Sequence, residues 1–319
     1  MLKPLLLITL FYPLLYGVEL IERTQVKMGT FATISLEPKD ISHAAKAFEI
    51  LENVENSLSS YRKETPISRL NRYGYAKLDG YAQEALGLSI EYYEHSGGYF
   101  DITVGSLTKG LYRFGESDLL PHPSLARLAR VSIKGVTIKG DDAALAKGIK
   151  VDLGGMGKGY GVDRVSDYLK KSGVSHALIA LSGDIRCLNR CEIAVQNPYG
   201  EGAIARFSVS QESGISTSGN YARYVKSQKT NHLLDPKSKQ SQRNFDSITL
   251  ISHMPNAALD AYATALSVMP KERAYEFLKS LDAAYIIVES ASKRVLVSEN
   301  IDDFTDGFTL FERTEADRR

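Results

Sequence analysis

Hydrophobic and polar positions alternate with two different periods along this chain, and the switches between them mark its elements. In QVKMGTFATISLE, Val26, Met28, Phe31, Thr33 and Ser35 imply a strand broken at Gly29. Over residues 40–61 the period lengthens. Ile41, Ala44, Ala45, Phe48, Leu51, Val54 and Leu58 share one stripe, which predicts an amphipathic helix capped by Asp40 or Ser42. Tyr61 lies just past that stripe, and Pro66 blocks simple continuation. A second helix is predicted over 81–95, stopped by Gly97-Gly98. Residues 118–148 read as connection, with short strand-like pieces in ARVSIKG and VTIKG.

Ile149, Val151 and Leu153 read as the end of a buried strand, and Val162, Val165 and Leu169 then recur at helical spacing. That helix closes at Lys170-Lys171-Ser172-Gly173, with cations at its negative end and glycine just beyond. HALIALSGDIRCL, interrupted by Ser182-Gly183-Asp184, reads as a buried strand and completes an expected β-α-β unit. Strands follow at CEIAVQNP, AIARFSVS and SGISTS, the first two joined by the turn Asn197-Pro198-Tyr199-Gly200. SITLIS is a strand, PNAALDAYATALSVMP a helix of small residues, and AAYIIVES and RVLVSEN the closing strands, with a frayed charged tail expected after Phe311. The pattern describes one α+β (mixed α/β) unit, with two lobes meeting near the glycine-rich stretch at 151–163.

The chain is 319 residues long, ample for a real core, and its formal net charge of +1 removes nucleic acid and anionic membrane surfaces as charge-driven partners. The start changes the picture more. Lys3 followed by an apolar run from Leu5 to Tyr16 reads as a secretory signal peptide over 1–17, leaving 18–319 as the folded domain. Leu15 makes a poor cleavage site, so an uncleaved N-terminal membrane anchor stays open. Export would place Cys187 and Cys191 in an oxidising compartment, where they either pair across the turn between them or remain two thiols.

The chemistry concentrates in VDLGGMGKGYGVD. Gly154, Gly155, Gly157, Gly159 and Gly161 sit at a strand-to-helix turn, where positive φ and close approach of another molecule are both open to glycine. A helix N-terminus there, with Lys158, would stabilise an anion such as phosphate. It is neither of two familiar phosphate loops. Gly155-x-Gly157-x-x leads to Tyr160, and Lys158 is followed by Gly159 rather than Ser or Thr. Asp260 and Thr264, four apart on one helix face among alanines, suit a hard cation with oxygen ligands or a packing face with a satisfied aspartate. Asp101 and Thr103 read as a capped buried turn or a ligand site, and His232 in NHLLDP as structural or catalytic.

MGT at 28–30, SYRKETPISRLN, FDITVG, VDLGGMGKGYGVD, LSGD, SGNYARY, NHLLDP and LDAYATALSVM stand in an order and spacing that resembles the ApbE-type FAD:protein FMN transferases, over residues 25–310. The chain departs from the usual pattern at Met156-Gly157, Ser106 and Ser182, all small or conservative changes. The resemblance implies a T-fold-like, two-lobed single domain with a mixed sheet flanked by helices, located in the periplasm. It implies FAD as substrate, Mg²⁺ as cofactor, and FMN transfer to a Ser or Thr hydroxyl with release of AMP. The acceptor would be a flavoprotein, either a membrane redox complex subunit or an exported protein. In family positions Met28, Tyr61, Phe100, Asp101, Thr103, Gly154, Lys158, Tyr160, Asp163 and His232 bind FAD. The carbonyl of Gly157 with Asp260 and Thr264 holds Mg²⁺, and His232, Asp260 and Lys158 carry the catalysis. The same residues suit an FAD pyrophosphatase giving free FMN and AMP, or a non-catalytic FAD-binding protein.

Overall fold

Met28 and Gly29 both take positive φ, 52° and 73°, so the chain reverses there and the expected broken strand is a hairpin. Its arms are β1 (Ile21–Lys27) and β2 (Thr30–Leu36). The computed structural model describes residues 19–114, 119–220, 225 and 230–311. The leader at 1–17, the tail beyond Phe311 and residues 221–224 of SGNYARY lie outside the described residues.

The hairpin edges an eight-stranded sheet. After β2 come β6 (Ala177–Leu181), β7 (Asp184–Cys187), β10 (Ser213–Gly219), β11 (Phe245–Ser252), β12 (Ala284–Glu289) and β13 (Val295–Val297). Every pairing in it is antiparallel, so the sheet is not mixed in direction. Two small sheets accompany it. One is β3 (Tyr75–Lys77), β5 (Asp142–Leu145) and β4 (Val136–Lys139); the other is β14 (Asp306–Leu310), β9 (Ala203–Val209) and β8 (Cys191–Gln196).

The helices are α1 (Ala44–Leu58), α2 (Pro66–Tyr73), α3 (Gly80–His95), the single turn α4 (Gly105–Leu107), α5 (Pro123–Leu128), α6 (Gly157–Lys171), α7 (Asn256–Val268), α8 (Lys271–Lys279) and α9 (Ile301–Phe304). Among the described residues none is long and apolar enough to cross a membrane. Of the stripe predicted for the first long helix, Ala44, Phe48, Leu51, Val54 and Leu58 are buried while Ala45 is exposed; Ile41 falls in a 3-10 turn over Pro38–His43 that precedes the helix, and neither Asp40 nor Ser42 caps it.

Strand alternation sorts the core into two layers. Ile248 and Leu250 of β11 and Ile287 of β12 face α3 and α7, while Ile251, Ile286 and Val288 face Ile193, Val195 and Phe207 of the β8–β9 sheet. Ile34, Leu36 and Ile179 pack under α1 and α6. Helices therefore cover one face of the large sheet and the β14-β9-β8 sheet covers the other. Cys187 and Cys191 are joined as a disulfide inside that second layer.

The expected β-α-β unit is not formed. Ile149, Val151 and Leu153 are buried as foreseen, yet they join no strand ladder. The side chain of Asn71 on α2 substitutes for a neighbouring strand: Val151 N donates to Asn71 Oδ1 at 2.7 Å, and Asn71 Nδ2 donates to the Val151 carbonyl at 2.8 Å. Ser106 Oγ accepts from Lys150 N, and the Ile102 carbonyl from Asp152 N. Buried backbone polar groups must be paired, and here one amide side chain meets both needs of a residue.

Candidate active site

Two helix N-termini cross at the glycine stretch. Gly159 is the contact: a Cβ there would lie 2.2 Å from the carbonyl oxygen of Asn256, the first residue of α7. None of the five glycines of the stretch takes a positive φ. Close approach, not backbone freedom, is what Gly155, Gly159 and Gly161 supply. Gly155 faces Thr264 and Phe100 at 3.1–3.4 Å, and Gly161 faces Met28 Sδ at 2.9 Å, each measured from the Cβ it lacks.

Each helix then caps the other. Asp163, in the second turn of α6, accepts from Asn256 N and Ala257 N at 2.8 Å each. Asp260, in the second turn of α7, accepts from Gly159 N through Oδ2 at 3.3 Å. The orphan donors and positive dipole ends of both helices are thus met by carboxylates from the partner helix. This corrects the expectation of an α6 N-terminus left open for phosphate, because Asp260 already stands there. It also gives Asp163 a capping role beside the flavin contact that the resemblance implied for it. Burial pushes the Asp163 carboxyl up to about 6, with the two backbone donors pulling the other way.

Lys158 joins the cluster between Asp260 Oδ2, at 3.0 Å, and Asp184 Oδ2, at 2.7 Å. Burial alone would disfavour its ammonium, but Asp184 and Asp260 together hold its pKa above the ordinary lysine value. Asp184 is fully buried at the head of β7 and accepts from Ser216 Oγ at 2.6 Å. Burial first, and the nearby charge of Asp260 second, push its carboxyl upward, with Lys158 opposing. Asp184 was within the LSGD motif but was not among the expected site residues. The β6–β7 hairpin turn and the β7–β10 pairing deliver it to Lys158.

Oxygen atoms for a cation also gather here. Thr264 Oγ1 approaches the carbonyl of Gly155 at 3.4 Å, one turn of α7 from Asp260. The carbonyl hydrogen-bonded to Thr264 is that of Gly155, two residues before the expected Gly157. Gly157 opens α6, where its carbonyl serves the helix ladder. Among the described residues no three His, Cys, Asp or Glu side chains form a metal cage. One carboxylate, one hydroxyl and one carbonyl fit Mg²⁺, which retains waters and takes phosphate oxygens rather than an all-protein shell.

The remaining expected residues divide. Tyr61 is half exposed, with Lys109 Nζ 3.5 Å from its ring centroid and its hydroxyl donating to the Phe114 carbonyl at 3.3 Å. Lys109 also lies 3.6 Å from Asp152 Oδ2, while Asp152 Oδ1 accepts from Gly154 N at 3.0 Å and Oδ2 from Thr108 Oγ1 at 2.6 Å. Asp152, overlooked in the sequence, thus ties Gly154 to the Tyr61 side of the cleft. Asp101 caps its own turn, accepting from Thr103 N and Thr103 Oγ1 at 2.8 and 2.6 Å, and Phe100 is buried behind Gly155. Met28 anchors its backbone to Glu55 and packs between two parts of the core. Tyr160 is turned away: its side chain is fully buried and its hydroxyl donates to Glu84 at 2.5 Å, so it packs α6 on α3 instead of meeting a ligand. His232 is half buried on a loop whose Lys237 lies 3.6 Å from the centroid of Tyr99 and whose Leu234 packs with Leu107 and Phe114.

A lysine, two buried aspartates and a threonine thus gather where two helix N-termini cross, on an antiparallel α+β scaffold. The sequence model of the ApbE family matches residues 28–287, and the chain belongs to that family. It is 31% identical to the FAD:protein FMN transferase of Vibrio cholerae over 245 residues, 70% of this chain and 72% of that protein. To the FAD:protein FMN transferase of Treponema pallidum it is 26% identical over 318 residues, 88% of this chain and 87% of the other. Its fold matches the crystal structure of the ApbE protein from Thermotoga maritima with a TM-score of 0.79 at 22% identity, covering 90% of this chain and 99% of that one. The flavin transferase ApbE from Vibrio cholerae follows at 0.76 and 23%, over 90% and 100% of the two chains.

Proposed function

We propose that this chain is an FAD:protein FMN transferase that uses Mg²⁺ to move FMN onto a Ser or Thr hydroxyl of an acceptor flavoprotein and releases AMP. The observation that carries the reading is the convergence of Asp260, Thr264, the Gly155 carbonyl and Lys158 at the crossing of α6 and α7. Bound Mg²⁺ would neutralise charge on the FAD diphosphate. The chain's own part is to hold the diphosphate beside Lys158, to seat the flavin against Tyr61, and to keep the site rigid through the reciprocal caps. The acceptor oxygen attacks the phosphorus on the FMN side. The bond from that phosphorus to the bridging oxygen breaks, AMP departs with that oxygen, and the hydroxyl proton passes to a base, for which His232 is the candidate. Export to the periplasm, with the disulfide intact and the leader cleaved or kept as an anchor, is part of the same proposal. Cell fractionation tests it, and recovery in the cytoplasm with residues 1–17 retained would count against it.

The experiment is the intact mass of a Ser/Thr-bearing acceptor after incubation with this protein and FAD, with Mg²⁺ or with chelator. An FMN adduct only with Mg²⁺, and lost in Asp260→Ala, is expected; the lost ligand should cost about 10²-fold or more in rate. Free FMN and AMP with an unmodified acceptor would mean hydrolysis instead.

A further inference from the structure

In this state one oxygen of the Asp260 carboxylate is already engaged. Its Oδ2 takes both the Lys158 ammonium and the Gly159 N–H. A divalent cation on Asp260 would stand within one carboxylate group of that ammonium. Like charges at such range in a partly buried site repel, so Lys158 has to give way. An ammonium released into a buried site with no counter-charge would carry its own penalty. The question is where it goes.

We propose that Asp184 is a positioning residue that receives Lys158 when a cation takes Asp260, so that cation entry turns the lysine from a plug into a phosphate-binding group. The placement supports this. Asp184 Oδ2 is the nearer of the two carboxylate oxygens to Lys158 Nζ, at 2.7 Å against 3.0 Å. Apart from that ion pair, Oδ2 has no hydrogen bond among the described residues, so it has no competing claim. Oδ1 is fixed by Ser216 Oγ, which sets the carboxylate's direction. The turn holding Asp184 has little room to shift, since a Cβ on Gly183 would lie 2.9 Å from the Thr217 carbonyl oxygen. Lys158 keeps 28% side-chain exposure, so it still meets solvent on one side. An ammonium has three donors; with one on Asp184 and none on Asp260, two are available to an anion. Cation and diphosphate then favour each other through the lysine as well as through direct contact.

The inference rests on the cation reading of Asp260, Thr264 and Gly155, and its test reads Mg²⁺ binding by calorimetry without FAD, independently of turnover. Asp184→Asn should weaken Mg²⁺ binding by about tenfold or more, within the usual span of site-to-site coupling, because Lys158 is left with Asp260 alone. Lys158→Met should tighten Mg²⁺ binding while weakening FAD binding. In the Lys158→Met background the Asp184→Asn penalty should shrink at least about fivefold, since there is no lysine to relocate. An equal penalty in both backgrounds would overturn the proposal, showing that Asp184 acts by its own charge or through the fold. Ser216→Ala, which keeps the charge but frees Oδ1, should give a smaller loss of the same sign and carries the test if Asp184→Asn does not fold; unchanged Mg²⁺ binding there would overturn the proposal equally. Absence of Mg²⁺ binding by the parent protein overturns the cation reading together with this one, whereas parent binding matched by Asp184→Asn overturns this one alone.

Discussion

Lys158 stands between two carboxylates, and Asp260 between a lysine and a helix N-terminus, so neither is a free group awaiting substrate. Sequence spacing was sufficient to bring Lys158, Asp260 and Thr264 forward, because a lysine in a glycine run and an i, i+4 pair are local signals. Asp184 was not legible in that way: it is a short-range hairpin residue whose partners arrive through sheet pairing and helix crossing. The partners of Tyr160 and Asp163 were not legible for the related reason that a helix has several faces. Residues three apart on α6 point to α3 and to α7, and only the packing says which. For His232 the structure gives a position and the role is a matter for kinetics. If it is the base, His232→Ala should cut single-turnover transfer by about 10²-fold at saturating FAD. If it only positions FAD, the same variant should raise the FAD requirement and leave the maximal rate near normal, removing it from the catalytic set.

The crossing of α6 and α7 depends on the absence of one methyl group. Gly159→Ala gains about 1 kcal/mol of helix propensity, but its Cβ meets a backbone carbonyl at 2.2 Å that cannot rotate away. The overpacking term, about 3 kcal/mol, should win. Denaturant unfolding of the variant should show a net loss of about 2 kcal/mol, and a stabilised variant would mean that the helices separate freely. The caps bring a pH dependence. Asp163 binds a proton near pH 6 in the folded chain, against 3.8 as the ordinary aspartate value. Between those values the folded state holds more protons, so its stability through this group is fully present at low pH and is lost as pH rises through about 6, by up to about 3 kcal/mol. The stability difference between parent and Asp163→Asn should therefore grow from pH 7 to pH 4; a flat difference would show that burial does not set this group's titration. Helix extents were mostly legible from apolar spacing, but the strand at 149–153 was not. A short buried apolar run has the same composition whether a strand or a side-chain amide pairs its backbone.

At the scale of the molecule, the large sheet separates the site from the disulfide. Cys187 and Cys191 lie in the apolar layer under β8 and β9, while Lys158 and Asp260 sit among the helices on the other face. The bridge closes a loop of only four residues' separation, worth about 2 kcal/mol in chain entropy. Reduction should lower the melting temperature by several degrees and leave FAD turnover unchanged below it; loss of turnover at a temperature where the protein remains folded would mean that the sheet transmits the change. The β8–β9 hairpin was visible in the sequence, whereas the breaks at Gly29 and at Ser182-Gly183 turned out to be reversals rather than interruptions of single strands. The Asn71 splice at Val151 has a kinetic consequence. A segment stitched into a ladder opens when the sheet opens, but this one is held through the side chain of a short helix. The Val151 amide proton should therefore exchange with solvent at the rate at which α2 frays rather than with the slow global opening of the sheet, giving the approach to the glycine stretch a faster-breathing point of its own.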